Sequence, residues 1–508
     1  MFNSLSPSSR NVRRHVDHDT TQEHEFEQLI LSSPGDGKNS DNLPFHRFQS
    51  QSSHWQHTRR ICWTLRRVLP LRRVLLLLGA SFVIFVLVVL RGGIPPTFTD
   101  VRTYESRLPQ HNVTEALFDT DLKPPGRRKY LRLEGGAWGV GLNNVLQQVL
   151  HMSYLAHKSG RVYVFEDYTW SHKPFRYTLY DYALRPTTVP LNAIISGASS
   201  GGVISSDGGT NSFRSVSLEF FDSVCPEKDR VVLDSAEAPL EDQVSDGVQI
   251  VDWWLERLRR VEDEPCVVIH STQKNQVFDW IYFGTKLPLS VLPALTSSPM
   301  LTQFAWSPIV LSAVARNFAV LQPSDPRTLL DTGSSAILEG LVAVHLRRGD
   351  FQGHCRFLHK HRAQFIGINR YHVLPDRFHP SPRPDSDASR ENYVRHCIPE
   401  VEHIVERLRK VREENPSLRL RRVYLLSNGS RWWLTKLAKK LVEDGWGDVS
   451  STNDIRLDDE QVQVSGAVDM AIAGKAEVFV GNGFSTLSAN IIMLRLAKEL
   501  KPESNRFL

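Results

Sequence analysis

Residues 341–351, LVAVHLRRGDF, decide how this chain is read. Val342, Val344 and Leu346 alternate with smaller or polar neighbours, the pattern of a short buried strand. The strand stops abruptly at Arg347, Arg348, Gly349 and Asp350. Two guanidiniums at the end of a buried strand call for an anion, and a planar, always-charged fork matches a phosphate best. In open α/β sheets the crevice beyond the strand ends is where ligands sit. The plain alternative is an arginine pair that is solvated or bridged to Asp350.

A second stretch lies further on, DMAIAGKAEVFVGNGFSTLSANIIMLR at residues 469–495. Residues 476–480 form another buried strand, which Gly481-Asn482-Gly483 breaks. Ser485, Thr486 and Ser488 then lead into an apolar helix over 489–497. Hydroxyls and free amides at a helix start suit an anion, whereas any helix can open on a simple Ser/Thr cap.

Around these two stretches, strands at 341–346, 422–427 and 476–480 alternate with helices at 399–415, 431–443 and 485–500. That alternation predicts a parallel sheet within a second domain, 332–508. Residues 351–391, rich in His, Arg and Pro, read as an insertion. The first globular half, 130–331, opens with a strand at 131–133 and GGAWGVGLNN at 135–144. A helix with Val145, Val149, Met152 and Leu155 on one face follows, then the strand RVYVFED. This is a βαβ opening, and its loop is not the GxGxxG of a dinucleotide site. Residues 191–209, rich in Ser and Gly, read as a mobile surface loop, and 277–317 as helical.

At 508 residues the chain exceeds one ordinary core. Residues 1–73 are polar and read as a disordered cytoplasmic tail. The uncharged run VLLLLGASFVIFVLVVL, residues 74–90, reads as a transmembrane signal anchor, at the short end of what spans a bilayer. Arginines crowd its amino side, which predicts a type II orientation. The short span suits a Golgi or endoplasmic reticulum membrane, with the bulk of the chain lumenal. Residues 91–129 read as a stem. The net charge of +5 reflects those arginines, and no basic stripe interleaved with aromatics speaks for nucleic acid.

Of five cysteines, four follow the apolar run, which permits two disulfides in an oxidising lumen. Cys355 and Cys397, which bracket the insertion, are the first candidate pair. Asn112 and Asn428 head glycosylation sequons.

HLRRGDF, the spacing from Asp469 to Leu487, and Gly141-Leu142-Asn143-Asn144 together resemble the GDP-fucose protein O-fucosyltransferase family, in its fungal-type branch. The resemblance runs over most of 130–497. It implies a GT-B architecture, two Rossmann-like βα domains facing a cleft. It also implies transfer of fucose from GDP-fucose to an acceptor hydroxyl on protein Ser/Thr or a glycan, with inversion and with no metal or other cofactor. Arg347 then matches the arginine that holds the donor diphosphate and stabilises the leaving group. His345 would contact nucleotide or fucose, and Arg348 and Asp350 would shape the pocket. Asp469 matches the carboxylate that reads the guanine edge, with pairing to Lys475 as the plain alternative. Ser485, Thr486 and the Leu487 amide match the diphosphate-binding turn, and Asn143 and Asn144 lie where the family approaches the fucose. Part of the family has a glutamate base where this chain has Val140. Glu134, six residues earlier, is the candidate that remains.

Three D-x-D triplets, at 17–19, 119–121 and 385–387, read as solvated charge, and His354, His359 and His361 as surface. No G-x-S-x-G elbow suggests a serine hydrolase. The rival functions are a transferase using another nucleotide sugar, and an inactive nucleotide-sugar-binding protein.

Overall fold

The computed structural model describes residues 71–508 apart from 92, 137–139, 172–174, 181–182, 206–211, 240–242, 273–276, 323–336, 350 and 384–385. It is an α/β protein built on two parallel sheets of five strands each. The first holds β1 (Tyr130–Glu134), β2 (Val162–Phe165), β3 (Val216–Ser217), β4 (Val231–Asp234) and β5 (Cys266–His270), in the order β3-β2-β1-β5-β4. The second holds β6 (Leu338–Leu346), β7 (Arg422–Ser427), β8 (Asp448–Ser451), β9 (Ala476–Gly481) and β10 (Asn505–Phe507), in the order β8-β7-β6-β9-β10. Each sheet therefore keeps its first strand in the middle. The chain leaves that strand toward one edge and later returns to its other side, which creates a switch point at the carboxyl end.

β6 is buried at every position but Glu339, as a strand covered on both faces should be. Its alternation sorts the side chains between two cores. Val342, Val344 and Leu346 pack with Ile404, Leu408 and Leu437 on one face. Leu341 and Ala343 join the larger core on the other. His345, two residues on, takes that second face and meets the helix that follows β9. Strand parity therefore aims His345 away from the outer helices.

The larger core runs through both halves. Leu146 and Leu150 of helix α2 (Leu142–Lys158) share it with Ile491 and Ile492 of helix α7 (Thr486–Ala497). At this joint Asn490 Nδ2 donates to Asn143 O (2.9 Å) and Asn143 Oδ1 (3.2 Å). Helix α3 (Pro308–Arg316) packs in the same way on α6 (Ser465–Lys475).

Several expectations need correction. The segment read as a stem is packed: Phe98 and Leu108 enter the larger core, and Arg128 is buried against Asp119 at 2.5 Å. Asp119 of the second D-x-D triplet is thus a buried ion-pair partner, not a solvated charge. Residues 191–200 are buried rather than a surface loop, and the short helix Leu191–Ile194 lies among them. The insertion is ordered by helices α4 (Phe351–Lys360) and α5 (Asp387–Cys397), joined by the Cys355–Cys397 disulfide. A second disulfide links Cys225 to Cys266.

The apolar run falls in helix α1 (Leu71–Arg91), whose described side chains, 75–89, are mostly exposed. Among the described residues no helix is long and apolar enough to cross a membrane.

Candidate functional site

The second sheet's switch point lies beyond β6, between β7 and β9, and three groups from distant parts of the chain are the candidates for it. The first is the β6 end. His345 Nδ1 is 2.9 Å from Ser488 Oγ, which also accepts the Asn482 N–H at 2.9 Å. His345 is 3 % exposed, and burial, helped by the nearby Arg347, holds its pKa down at about 3. It is a neutral imidazole, suited to a hydrogen bond and not to carrying charge. Arg347 is 8 % exposed, and its guanidinium carbon lies 4.8 Å from the centre of the Phe351 ring. A guanidinium stacked on an aromatic face is fixed in plane.

The second group is the turn after β9. Asn482 is fully buried; its Oδ1 accepts the Phe484 N–H at 3.0 Å, an Asx-type turn, and its Nδ2 donates to Cys397 O at 2.7 Å. This turn delivers Ser485, Thr486 and Leu487 to the start of α7. The Ala489 N–H is the one that bonds back to Ser485 O, so the amides before it have no acceptor within the helix. Ser485 makes no side-chain cap bond, and Thr486 and Leu487 are half-buried.

Asp469 is the third group. It is 6 % exposed on α6, where Oδ1 accepts from Tyr424 Oη at 2.5 Å and Oδ2 from Thr452 Oγ1 at 3.0 Å. Two hydroxyls hold the carboxylate in one orientation.

Arg348 does not share this crevice. It stacks on Trp433 at 4.1 Å and donates to Pro399 O at 2.9 Å, while its backbone exchanges two bonds with Asn428. Its role is to tie β6 to the outer helices, the side opposite His345. Asn428 Nδ2 is committed to Arg348 O at 3.1 Å, so a glycan on that nitrogen would disturb the strand end. Asn112, in contrast, is exposed and caps the short helix Val113–Leu117. Asp350 lies outside the described residues.

The first sheet's switch point carries the opposite charge. Glu134 ends β1 and faces His270 at the end of β5, with Oε2 3.0 Å from Nδ1, and Arg132 bridges Glu134 and Glu166. Gly135 then turns at φ +72°, where a Cβ would meet Ser271 O at 2.7 Å, so only glycine fits. Behind it a cavity of about 100 Å³ is lined by Gly136, Gln148, Glu166 and Asp167 among others. Burial pushes the Glu166 carboxyl up, and pushes nearby Glu105 up to about 7. On α2, Asn143 bonds Asn490, whereas Asn144, 2 % exposed, has no partner for either side-chain atom among the described residues. A buried amide with neither group satisfied costs about 1–3 kcal/mol or more, so Asn144 is a group held ready for a ligand or water. Among the described residues no cluster of His, Cys, Asp or Glu is arranged for a metal.

Residues 306–497, which include every part of the cationic crevice, match the family model of GDP-fucose protein O-fucosyltransferases. That segment is similar to the family's domain. The activity named by that family model is fucosyl transfer from GDP-fucose to protein. No curated protein matches the chain significantly in sequence. Among solved structures it is similar to POFUT1 in complex with GDP, at 15% identity and a TM-score of 0.45, over 75% of this chain and 98% of that one. It is also similar to NodZ alpha-1,6-fucosyltransferase soaked with GDP-fucose, at 11% identity and a TM-score of 0.35, over 72% and 93% of the two chains. A variant of Arabidopsis thaliana FUT1 in complex with GDP gives 11% and 0.35, over 79% and 78%.

Sequence reasoning named His345, Arg347, Asp469 and the 485–487 turn; the fold sets His345, Arg347 and the turn at the ends of neighbouring strands and puts Asp469 on α6. It missed the positioning roles of Phe351, Asn369, Asn482 and Ser488. An asparagine between two glycines at a strand end is a readable Asx-turn signal for Asn482.

Proposed function

We propose that this protein transfers fucose from GDP-fucose to a hydroxyl of a protein Ser/Thr or glycan acceptor, in one inverting displacement. The observation that carries the reading is the placement of the Arg347 guanidinium and the amides and hydroxyls of 485–487 at one switch point. The acceptor oxygen bonds to the anomeric carbon as the bond to the β-phosphate oxygen breaks, and GDP leaves with the electron pair. Negative charge therefore grows on the β-phosphate, where a fixed guanidinium stabilises the transition state more than the ground state. Neutral His345 adds a hydrogen bond without a second charge. Asp469 accepts from the guanine N1–H and N2–H edge. The acceptor's proton goes to Glu134, which the His270 and Arg132 contacts hold in orientation.

In this reading the two sheets face each other as in GT-B enzymes, and Arg347 takes the role a divalent metal plays elsewhere, so a chelator should leave the rate unchanged. We further propose a type II anchor at 74–90 and a lumenal site in the Golgi or endoplasmic reticulum. The arginine-flanked uncharged run and the two disulfides support this.

Calorimetric titration of the protein with GDP, GDP-fucose and UDP-sugars, beside Arg347→Ala, tests the donor. GDP and GDP-fucose should bind, UDP-sugars should not, and the substitution should abolish binding. Preference for UDP-sugars would point to another donor. GDP binding without turnover on any acceptor would point to an inactive binding protein.

A further inference from the structure

The two sides of the cationic crevice come from segments more than a hundred residues apart, and one block of chain touches both. Phe351, the first residue of α4, lies against the Arg347 guanidinium. One turn later Cys355 is bonded to Cys397, the last residue of α5. The carbonyl of Cys397 accepts from Asn482. Between the two helices, the Ile366 N–H donates to Gly483 O at 3.0 Å. Asn369 Nδ2 donates to both Gly483 O (3.0 Å) and Ser485 O (3.1 Å). The Phe365 ring lies flush on Gly483, where a Cβ would be 2.3 Å from it.

Asn369 is 3 % exposed, and the two carbonyls fix its amide with the nitrogen toward the turn. Its Oδ1 then has no partner among the described residues. That is an unfavourable arrangement to keep unless the two bonds it permits matter. They do set a direction. A peptide's C=O and N–H point opposite ways, so drawing Ser485 O toward Asn369 turns the Thr486 N–H away from it, as the first donor of α7.

We propose that the block from α4 to α5 is a disulfide-stapled clamp that sets the distance and aim between Arg347 and the α7 amides, with Asn369 as its positioning residue. The proposal rests on the GDP reading above and goes beyond it by assigning the insertion to the phosphate half of the ligand. The clamp's contacts run to Arg347 and to the turn before α7, so it should act on the diphosphate and leave the base alone.

The test is calorimetric binding of GDP and of guanosine to the full chain and to Asn369→Ala, Asn369→Asp and the Cys355→Ser/Cys397→Ser pair. Asn369→Asp keeps the shape and removes the donor, and so covers the case in which alanine misfolds. Expected is a loss of about tenfold in GDP affinity, with guanosine changed less than about twofold. An equal loss for both ligands would make Asn369 merely structural and overturn the clamp. Unchanged GDP affinity in a correctly melting Asn369→Asp protein would overturn it as well. Wild-type protein that binds neither ligand would instead refute the donor reading beneath it.

Discussion

The two sheets have nearly the same topology, with the first strand in the middle and a crevice at its carboxyl end, yet their crevices carry opposite charge. Beyond β6 stands Arg347, with a neutral histidine and hydroxyls beside it. Beyond β1 stand Glu134, Glu166 and Asp167, with Arg132 between two of them. One backbone plan thus supplies two unlike environments, and the difference lies in a handful of side chains at strand ends. The division suits a displacement in which one partner gains negative charge and the other gives up a proton.

The largest effect should come from the cationic side. Arg347→Ala is expected to lower kcat/KM for GDP-fucose by about 10³-fold, read by released GDP. Glu134→Gln should cost about 10²-fold in kcat with the donor KM unchanged. A loss confined to donor KM would show that the acidic crevice does not handle the proton. The tenfold, GDP-selective effect of Asn369→Ala comes next. Arg348→Leu should be smaller still for function. It loses the Trp433 stacking and a carbonyl bond, about 1–2 kcal/mol of stability, visible in the melting temperature, while GDP affinity stays put. If GDP affinity fell with it, Arg348 would belong to the crevice after all.

Acidity separates the two sides more gently. His345 is held down at about 3, and His151 and His354 at about 4, mainly by burial. The unfolded chain protonates these rings below about pH 6.5 and the folded one does not, so stability falls as pH drops from there to about 4. Glu105, pushed up to about 7, works the other way, since folding keeps on it a proton that the unfolded chain releases above about 4.5. His111, held at about 4, and His396 act with these three histidines, and together the five outweigh Glu105, Glu166 and Glu460, so the melting temperature should be lower at pH 5 than at pH 7. His345→Asn should flatten part of that slope, and an unchanged profile would remove His345 from the account.

Much of the second sheet was legible because β6, β7 and β9 are runs of β-branched and apolar residues bounded by glycine or polar breaks. The edge strands β8 (DVSS) and β10 (NRF) carry no such pattern, since an edge needs little burial. The helices inside the insertion were illegible for a related reason. Its order comes from a disulfide and from Phe365, Phe378 and Tyr393 packing with Phe484 and Phe507, partners far away in sequence. Asn369 was invisible because its acceptors lie 114 and 116 residues on. The 91–129 segment has too few apolar residues to show a period, although Phe98 and Leu108 are enough to dock it. Arg347 and Asp469 were found by motif. That motif says nothing of the hydroxyls and the ring that fix them.

The core shared by α2 and α7, with Asn490 bonded to Asn143 across it, bears on how the molecule comes apart. Apolar side chains that belong to both sheets at once leave neither half a complete interior of its own. Heating should therefore give a single calorimetric peak, with van 't Hoff and calorimetric enthalpies in agreement. Asn490→Leu should move that peak without splitting it.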